Sequence, residues 1–130
     1  MIVDTSAVIA VLKEEPEAGR FLGVLTASGG PKRMSAANYL EAAIVVDANR
    51  NPLLSRRFDD LVAQTGIAVE PVDREQAESA RAAYRDFGKG SGHPAGLNYG
   101  DCFAYALARA RREPLLFKGD DFSQTDIAVA

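Results

Sequence analysis

The sequence has few of the residues that several common catalytic and metal sites require. It contains one cysteine, Cys102, and one histidine, His93, among 130 residues. A single cysteine cannot form an internal disulfide, and the lack of a C-x-x-C motif or a Cys/His cluster excludes a structural zinc site. A Ser-His-Asp or Cys-His mechanism would depend wholly on His93. That residue lies in the glycine-rich segment GKGSGHPAG, where we expect a solvated loop residue.

Long apolar runs and an excess of positive charge are also missing. No segment approaches the roughly 20 apolar residues that a membrane-spanning helix needs, and the N-terminus lacks the pattern of a signal peptide. We therefore expect a cytoplasmic protein without membrane contact. The 15 Lys and Arg against 18 Asp and Glu give a net charge of −3, which argues against a general nucleic-acid coat protein. Basic residues nevertheless cluster, so total charge does not decide the partner; the clusters are Lys32/Arg33, Arg56/Arg57, Arg81 to Lys89 and Arg109 to Arg112.

What is present is an alternation of strand-like and helix-like patterns, in a chain whose length fits one domain, residues 1–130. The predicted strands are Ile2–Asp4, KRMSA, IAVEPV and PLLF, with DIAVA as a candidate fifth. The predicted helices cover 6–13, a segment from Pro16 to about 27, 38–50, 52–64, 74–87 and 98–112. Strands separated by helices imply a parallel sheet with helices on both faces, which is an α/β fold.

Acidic residues adjoin several segments that should be buried. Asp4 follows the first strand, Glu41 lies on the third helix, and Asp101 lies in the first turn of the last helix. Three more acids follow the strand PLLF: Asp120, Asp121 and Asp126. In an open parallel sheet, ligands collect beyond the carboxyl ends of the strands, so these acids can converge at one edge. Converging carboxylates repel one another unless a cation joins them. Mg²⁺ or Mn²⁺ suits such a site, where it can activate water and stabilise charge on a phosphoryl group.

Each acid also has a structural explanation when it is taken alone. Asp4 could cap the following helix, and Asn98-x-x-Asp101 has the form of a capping box. Glu41 could be a solvated helix residue, and GDDF an acidic turn. The sequence leaves these alternatives open for each residue, although the set as a whole favours a metal site.

The chain resembles the PIN-domain family, specifically the VapC toxins of bacterial toxin–antitoxin pairs. The resemblance spans almost the whole chain and is carried by IVDTSAVIAVL with EEPEA, SAANYLEAAIVV, GLNYGDCFAYALA and PLLFKGDDFSQTDI. It implies a PIN-like three-layer α/β/α sandwich around a central, mostly parallel sheet of four to five strands. It also implies an endoribonuclease that depends on Mg²⁺, with Mn²⁺ as the alternative ion.

The resemblance assigns roles by position. The implied catalytic and metal-binding residues are Asp4, Glu41, Asp101 and Asp121, with Asp120 as the runner-up for the fourth acid and Asp126 as a contributor. Asp4 and Asp101 would be the principal ligands, and the other two would complete the site directly or through water. Three further residues are candidates to support the site, with N-capping as the alternative; they are Thr5, Ser6 and Asn98.

The resemblance also implies partners. These are an RNA substrate, with transfer RNA suggested by family analogy, a VapB-like antitoxin whose tail occupies the toxin groove, and a second copy in a homodimer. Tyr39 and Tyr99 could stack on bases, although packing between helices is the favoured role for both. Apolar residues of the N-terminal helices could receive a partner segment or simply form core; they are Val11, Leu12, Phe21 and Leu25.

Two alternatives to the ribonuclease stay open. One is another Mg²⁺-dependent phosphohydrolase, but a haloacid-dehalogenase-type phosphatase needs a second aspartate two positions after the first, where this chain has Ser6. The other is a non-catalytic PIN-fold module that only binds. The presence of all the family acids disfavours that module.

Overall fold

The central sheet consists of four short parallel strands, in a computed structural model that describes residues 1–130. The strands are β1 Ile2–Val3, β2 Lys32–Ser35, β3 Ile67–Glu70 and β4 Leu115–Leu116, in the spatial order β3-β2-β1-β4. Ile2 pairs with Arg33 on one side and with Leu115 on the other. The first strand of the chain is therefore a central strand, and its carboxyl end leads directly to Asp4.

Six helices and one 3₁₀ helix connect and follow these strands. They are α1 Thr5–Leu12, α2 Ala18–Thr26, α3 Ala36–Asp47, α4 Pro52–Thr65, α5 Arg74–Phe87, α6 Tyr99–Arg111 and the 3₁₀ helix Phe122–Gln124. Local signals set many of their ends: α4 has Asn51 as N-cap, Pro52 in its first turn, and Gly66 in the left-handed conformation at its end. None of the helices combines the length and apolar character required to cross a bilayer.

The sheet separates two hydrophobic cores. Ile2 packs with residues of α5, α6 and β4 on one face, whereas Val3 packs with residues of α1 to α4 on the other. Successive side chains of a strand point to opposite faces, so adjacent residues of β1 serve both cores. This arrangement confirms the predicted three-layer α/β/α fold with a parallel sheet.

Two expectations need correction, and one open alternative is decided. The segment DIAVA is not a fifth strand, because it makes only an isolated bridge between Val129 and Leu115. Pro16 lies in a turn, and helix α2 begins two residues later at Ala18. Of the two roles left open for Phe21 and Leu25 of α2, the structure favours the core, because both side chains are fully buried.

Candidate active site

Asp4 caps a helix and also lies at the bottom of a cleft. It follows β1 directly, and its backbone N–H donates to the carbonyl of Leu116 in β4 at 3.0 Å. Its Oδ2 atom accepts hydrogen bonds from the backbone N–H of Ser6 at 2.9 Å and from the Ser6 hydroxyl at 2.6 Å. The side chain is thus held at the start of α1 with only 3% of the residue exposed. Its Oδ1 atom makes no hydrogen bond and is left for a ligand.

Asp101 is fixed in the same way at the start of α6. Asn98 is the N-cap, and its Oδ1 accepts the backbone N–H of Asp101 at 2.8 Å, while Asp101 Oδ2 accepts the backbone N–H of Asn98 at 2.9 Å. The predicted capping box is therefore present. Capping engages one carboxylate oxygen of Asp101 and leaves the other without a hydrogen bond. Asp101 can therefore cap α6 and bind a metal ion at the same time.

Glu41 reaches this region from α3. Its carboxylate lies against Gly100, where a Cβ atom would be 2.1 Å from Glu41 Oε2. Asn38, one turn earlier on α3 and fully buried, donates through Nδ2 to the Gly100 carbonyl at 2.9 Å and accepts the Thr5 hydroxyl on its own carbonyl at 3.1 Å. Asn38 therefore joins α1, α3 and α6 beneath the acids.

Asn38 and Gly100 belong to this site but were not predicted from the sequence. The available signals were a polar residue on an otherwise apolar helix face and a glycine inside a helix.

Three of the four predicted acids share one cleft of about 450 Å³. Its lining residues are Asp4, Thr5, Ser6, Ile9, Glu15, Glu41, Val45, Asn98, Asp101 and Lys118. The supporting candidates Thr5, Ser6 and Asn98 thus lie beside the acids. Asp121 is not a lining residue, but it is near enough for its charge to raise the pKa of Asp101.

Burial and the charges of neighbouring acids raise the pKa values of Asp4 and Asp101, while the charge of Lys89 opposes the rise at Asp101. Burial raises the pKa of Asp4 from 3.8 to about 6, with smaller contributions from the charges of Asp101 and Glu41, while the hydrogen bonds from Ser6 oppose the rise. Burial also raises the pKa of Asp101, assisted by the charges of Asp121 and Glu41. None of these four residues takes part in any ion pair of the structure.

The donor set fits a hard divalent cation. In this structure no three His, Cys, Asp or Glu side chains lie close enough together to form a ready-made metal cluster. The cleft nevertheless offers the carboxylate oxygens of Asp4, Glu41 and Asp101, with no thiol or imidazole among its lining residues. Mg²⁺ is typically held by a few carboxylates and keeps several of its waters, so it does not require a closed cage. The residues that would hold it are Asp4, Glu41 and Asp101, with Asp121 close by.

Lys118 is a third residue of this site that was not predicted from the sequence. Its Nζ pairs with Glu15 and, at 3.4 Å, with Glu17. Its backbone N–H donates to the Ser6 hydroxyl at 2.9 Å. Ser6 therefore couples Asp4 to the loop after β4, and the cleft wall contains a lysine whose charge is already balanced.

Asp126 does not belong to the cleft, contrary to its predicted role as a contributor. Its carboxylate accepts the Tyr105 hydroxyl at 2.7 Å and Arg109 Nη1 at 2.9 Å, on the later part of α6. The chain turns away after the 3₁₀ helix, which carries this residue past the site. Asp120, the runner-up for the fourth acid, is exposed and does not line the cleft.

Comparison with known proteins identifies the family. The PIN domain family profile matches residues 1–128. Ribonuclease VapC28 of Mycobacterium tuberculosis is 56% identical over 130 residues, which cover 100% of this chain and 97% of the relative. The chain belongs to the PIN-domain family, among the VapC ribonucleases. The resemblance inferred from the four motifs is thereby confirmed, as is the prediction of a nuclease. VapC nucleases depend on a metal ion, in keeping with the oxygen-rich cleft.

Two solved structures have the same fold. VapC20 of M. tuberculosis, described as a Sarcin-Ricin loop cleaving toxin, superposes with a TM-score of 0.77 at 15% identity, covering 99% of this chain and 97% of that one. A toxin–antitoxin complex from Klebsiella pneumoniae contains a chain that superposes with a TM-score of 0.73 at 18% identity. The superposition covers 99% of this chain and 95% of that one. The PIN fold is thus shared with proteins of very different sequence.

Proposed function

We propose that this PIN-domain protein is an endoribonuclease toxin that hydrolyses RNA phosphodiester bonds. The observation that carries the proposal is the cleft that Asp4, Glu41 and Asp101 line together, none of them in an ion pair. We assign Mg²⁺ as the ion, with Mn²⁺ as the alternative, because both prefer oxygen ligands. We place the whole activity in one PIN domain, residues 1–130, of a cytoplasmic protein.

Neighbouring residues would orient the carboxylates that bind the metal ion. Ser6 fixes one oxygen of Asp4, and Asn98 fixes one oxygen of Asp101, so that each carboxylate presents its other oxygen in a set orientation. Gly100 leaves room for Glu41 beside them. When bound, the divalent ion would supply an activated water and offset the charge that develops on the phosphate. We assign the fourth position to Asp121 rather than Asp120, because Asp121 is the one whose charge acts on Asp101.

We further propose a VapB-like antitoxin and a homodimer as the assembly. A free ribonuclease would damage its own cell, and the Klebsiella neighbour was solved as a toxin–antitoxin complex. Leu40 and Ile44, one turn apart on α3 and each 59% exposed, lie on the helix that carries Glu41. A partner that covered them would also approach the cleft. Transfer RNA is the substrate class that we propose first.

Cleavage of labelled RNA by the purified full-length chain tests the proposal. We expect cleavage with Mg²⁺ or Mn²⁺, and its loss on addition of EDTA. Asp4→Asn and Asp101→Asn should each reduce the rate by more than the roughly 10- to 100-fold that is typical of outer-shell partners of a metal. Asp59→Asn is the matched control, because Asp59 is an exposed aspartate on α4 with no part in the cleft. Equal rates for all the variants would contradict the proposal.

The same preparations separate the alternatives. A phosphohydrolase of another class would release phosphate from p-nitrophenyl phosphate in an Asp4-dependent manner and leave RNA intact. A binding module would shift RNA in a mobility assay without producing new ends. Mapping RNA ends after brief induction in cells identifies the substrate, and growth arrest that is absent for Asp4→Asn supports a toxin. Light scattering measures whether the protein is a dimer.

A further inference from the structure

A second groove lies between α5 and α6, beside the acidic cleft. It has a volume of about 350 Å³ and is lined by Ala77, Ala80, Arg81, Tyr84, Tyr99, Cys102 and Phe103. The lining combines small residues with three aromatic rings, and Arg81 is its only charged member. Volumes of about 300 to 1,000 Å³ are usual for small-molecule sites, so the groove has the size and composition to hold a planar ring.

Tyr99 is the most exposed large apolar or aromatic side chain of the protein. It is 78% exposed, and Tyr84 across the groove is 45% exposed. The Tyr99 ring touches only the edge of the Phe103 ring, at a centroid distance of 4.9 Å. Packing between helices was the expected role of both candidate tyrosines. It is confirmed for Tyr39, which packs on Phe58 at 5.4 Å, and it is wrong for Tyr99.

The groove begins next to the acidic cleft at the start of α6, because Asn98 lines the cleft and the next residue, Tyr99, lines the groove. Asp101 lies two residues after Tyr99, so the two side chains leave the helix about 200° apart. A chain whose phosphate lay at the acids could pass over the first turn of α6 and place a neighbouring base in the groove. The charges fit such a chain, because Arg81 is the one charged residue that lines the groove.

We propose that this groove is a base-stacking subsite, in which Tyr99 stacks on an unpaired RNA base next to the phosphate that is cleaved. The inference rests on the proposed ribonuclease function. Aromatic side chains and arginine are the usual platforms for single-stranded bases. A second copy of the chain is the competing occupant, which the experiment distinguishes.

Because the chain contains no tryptophan, a tryptophan introduced at one position reports stacking at that position. Tyr99→Trp gives a single-tryptophan protein whose fluorescence should be quenched when a base stacks on the indole. The probe is a single-stranded RNA of mixed sequence, about twelve nucleotides long, added in EDTA so that no cleavage occurs. Leu53→Trp is the matched control, because Leu53 is 58% exposed but lies on α4, which does not line the groove. We expect quenching for Tyr99→Trp alone, and equal responses from both variants would overturn the proposal.

Substitutions then test whether the ring contributes to binding. Tyr99→Ala should weaken RNA binding in EDTA by about 5- to 150-fold, the range that corresponds to loss of one stacked base. It should raise KM for single-stranded RNA more than it lowers kcat. Tyr99→Phe, which keeps a ring, should bind far more tightly than Tyr99→Leu, which keeps apolar bulk without a ring. Equal losses for the Phe and Leu variants would overturn the proposal.

Wild-type measurements in the same series separate the two hypotheses. If the wild type cleaves RNA and Tyr99→Ala has the same dissociation constant and KM, the subsite is wrong and the ribonuclease function stands. If the wild type neither binds nor cleaves RNA, both are wrong. If Tyr99→Ala instead halves the mass measured by light scattering, the groove is an interface between two copies, and the subsite is again overturned.

Discussion

The carboxylate of Glu41 occupies the space that Gly100 leaves open on the neighbouring helix. A Cβ atom on Gly100 would lie 2.1 Å from Oε2 and 3.0 Å from Oε1 of Glu41. Gly100 precedes Asp101 in the first turn of α6, so the missing side chain lets an acid of α3 approach an acid of α6. Two like charges are brought together there, and an arrangement that costs electrostatic energy in the absence of a cation suits a cation site.

Gly100→Ala is therefore expected to affect activity more than stability. Alanine favours a helix over glycine by about 1 kcal/mol, and the atoms that it would displace are the flexible end of Glu41. We expect kcat/KM for RNA to fall about tenfold or more, with little change in the thermal midpoint. Gly23→Ala is the control, since Gly23 is also helical and has no atom within 4 Å of its Cβ position. Equal activity of the two variants would count against a role for Glu41.

Ser6→Ala tests the hydroxyl that orients Asp4. The Ser6 hydroxyl donates to Asp4 Oδ2 and accepts the backbone N–H of Lys118. Because the hydrogen bonds from Ser6 lower the pKa of Asp4, their partial loss should raise that pKa further. We expect the acid limb of the pH profile of kcat/KM, measured at limiting Mg²⁺, to move to higher pH. Ser6→Thr keeps a hydroxyl and should move the limb less; identical limbs for wild type and Ser6→Ala would refute this role.

Asp4→Asn should stabilise the metal-free fold while abolishing activity. The pKa of Asp4 is about 6 in the folded protein and about 3.9 in an unfolded chain. Protonation therefore favours the folded state, and the wild type loses stability from this group as the pH rises from about 4 to about 6. Above pH 6 the loss is complete and amounts to at most about 3 kcal/mol. The asparagine variant does not incur this loss.

Urea unfolding in EDTA at several pH values measures this difference. We expect Asp4→Asn to exceed the wild type in unfolding free energy at pH 7.5, and the advantage to disappear near pH 4. Asp59→Asn on the exposed face of α4 should stay within about 0.5 kcal/mol of the wild type throughout. An Asp4→Asn protein that is less stable than the wild type at every pH would show that burial does not perturb this carboxyl as described.

Substitution of Asp121 or of Asp120 tests which of the two is the fourth acid of the site. Both are exposed and adjacent, but the charge of Asp121 acts on Asp101. We expect Asp121→Asn to raise the Mg²⁺ concentration for half-maximal cleavage clearly more than Asp120→Asn does. Metal titrations of both variants at one RNA concentration test this ordering, and the reverse ordering would assign the position to Asp120.

Sequence reasoning succeeded where the physical determinants are local. The apolar periods of the strands and helices and the caps at Asp4 and Asn98 act within a few residues of chain. These signals, together with the four motifs, were sufficient for the layer order and for the family. They also placed the acids at strand ends and helix starts, which is where parallel sheets form sites.

Relations between distant residues required the folded structure. Asp126 lies away from the acidic cleft, unlike Asp121, because the path of the chain after the 3₁₀ helix carries Asp126 to Tyr105 and Arg109. Tyr39 and Tyr99 have the same side chain, but one packs on Phe58 and the other is exposed. Such outcomes depend on which surfaces of separate helices come into contact. Hydrophobic pattern and capping specify where an element lies along the chain, whereas side-chain proximity across about 60 residues is set by the packing of all the elements at once.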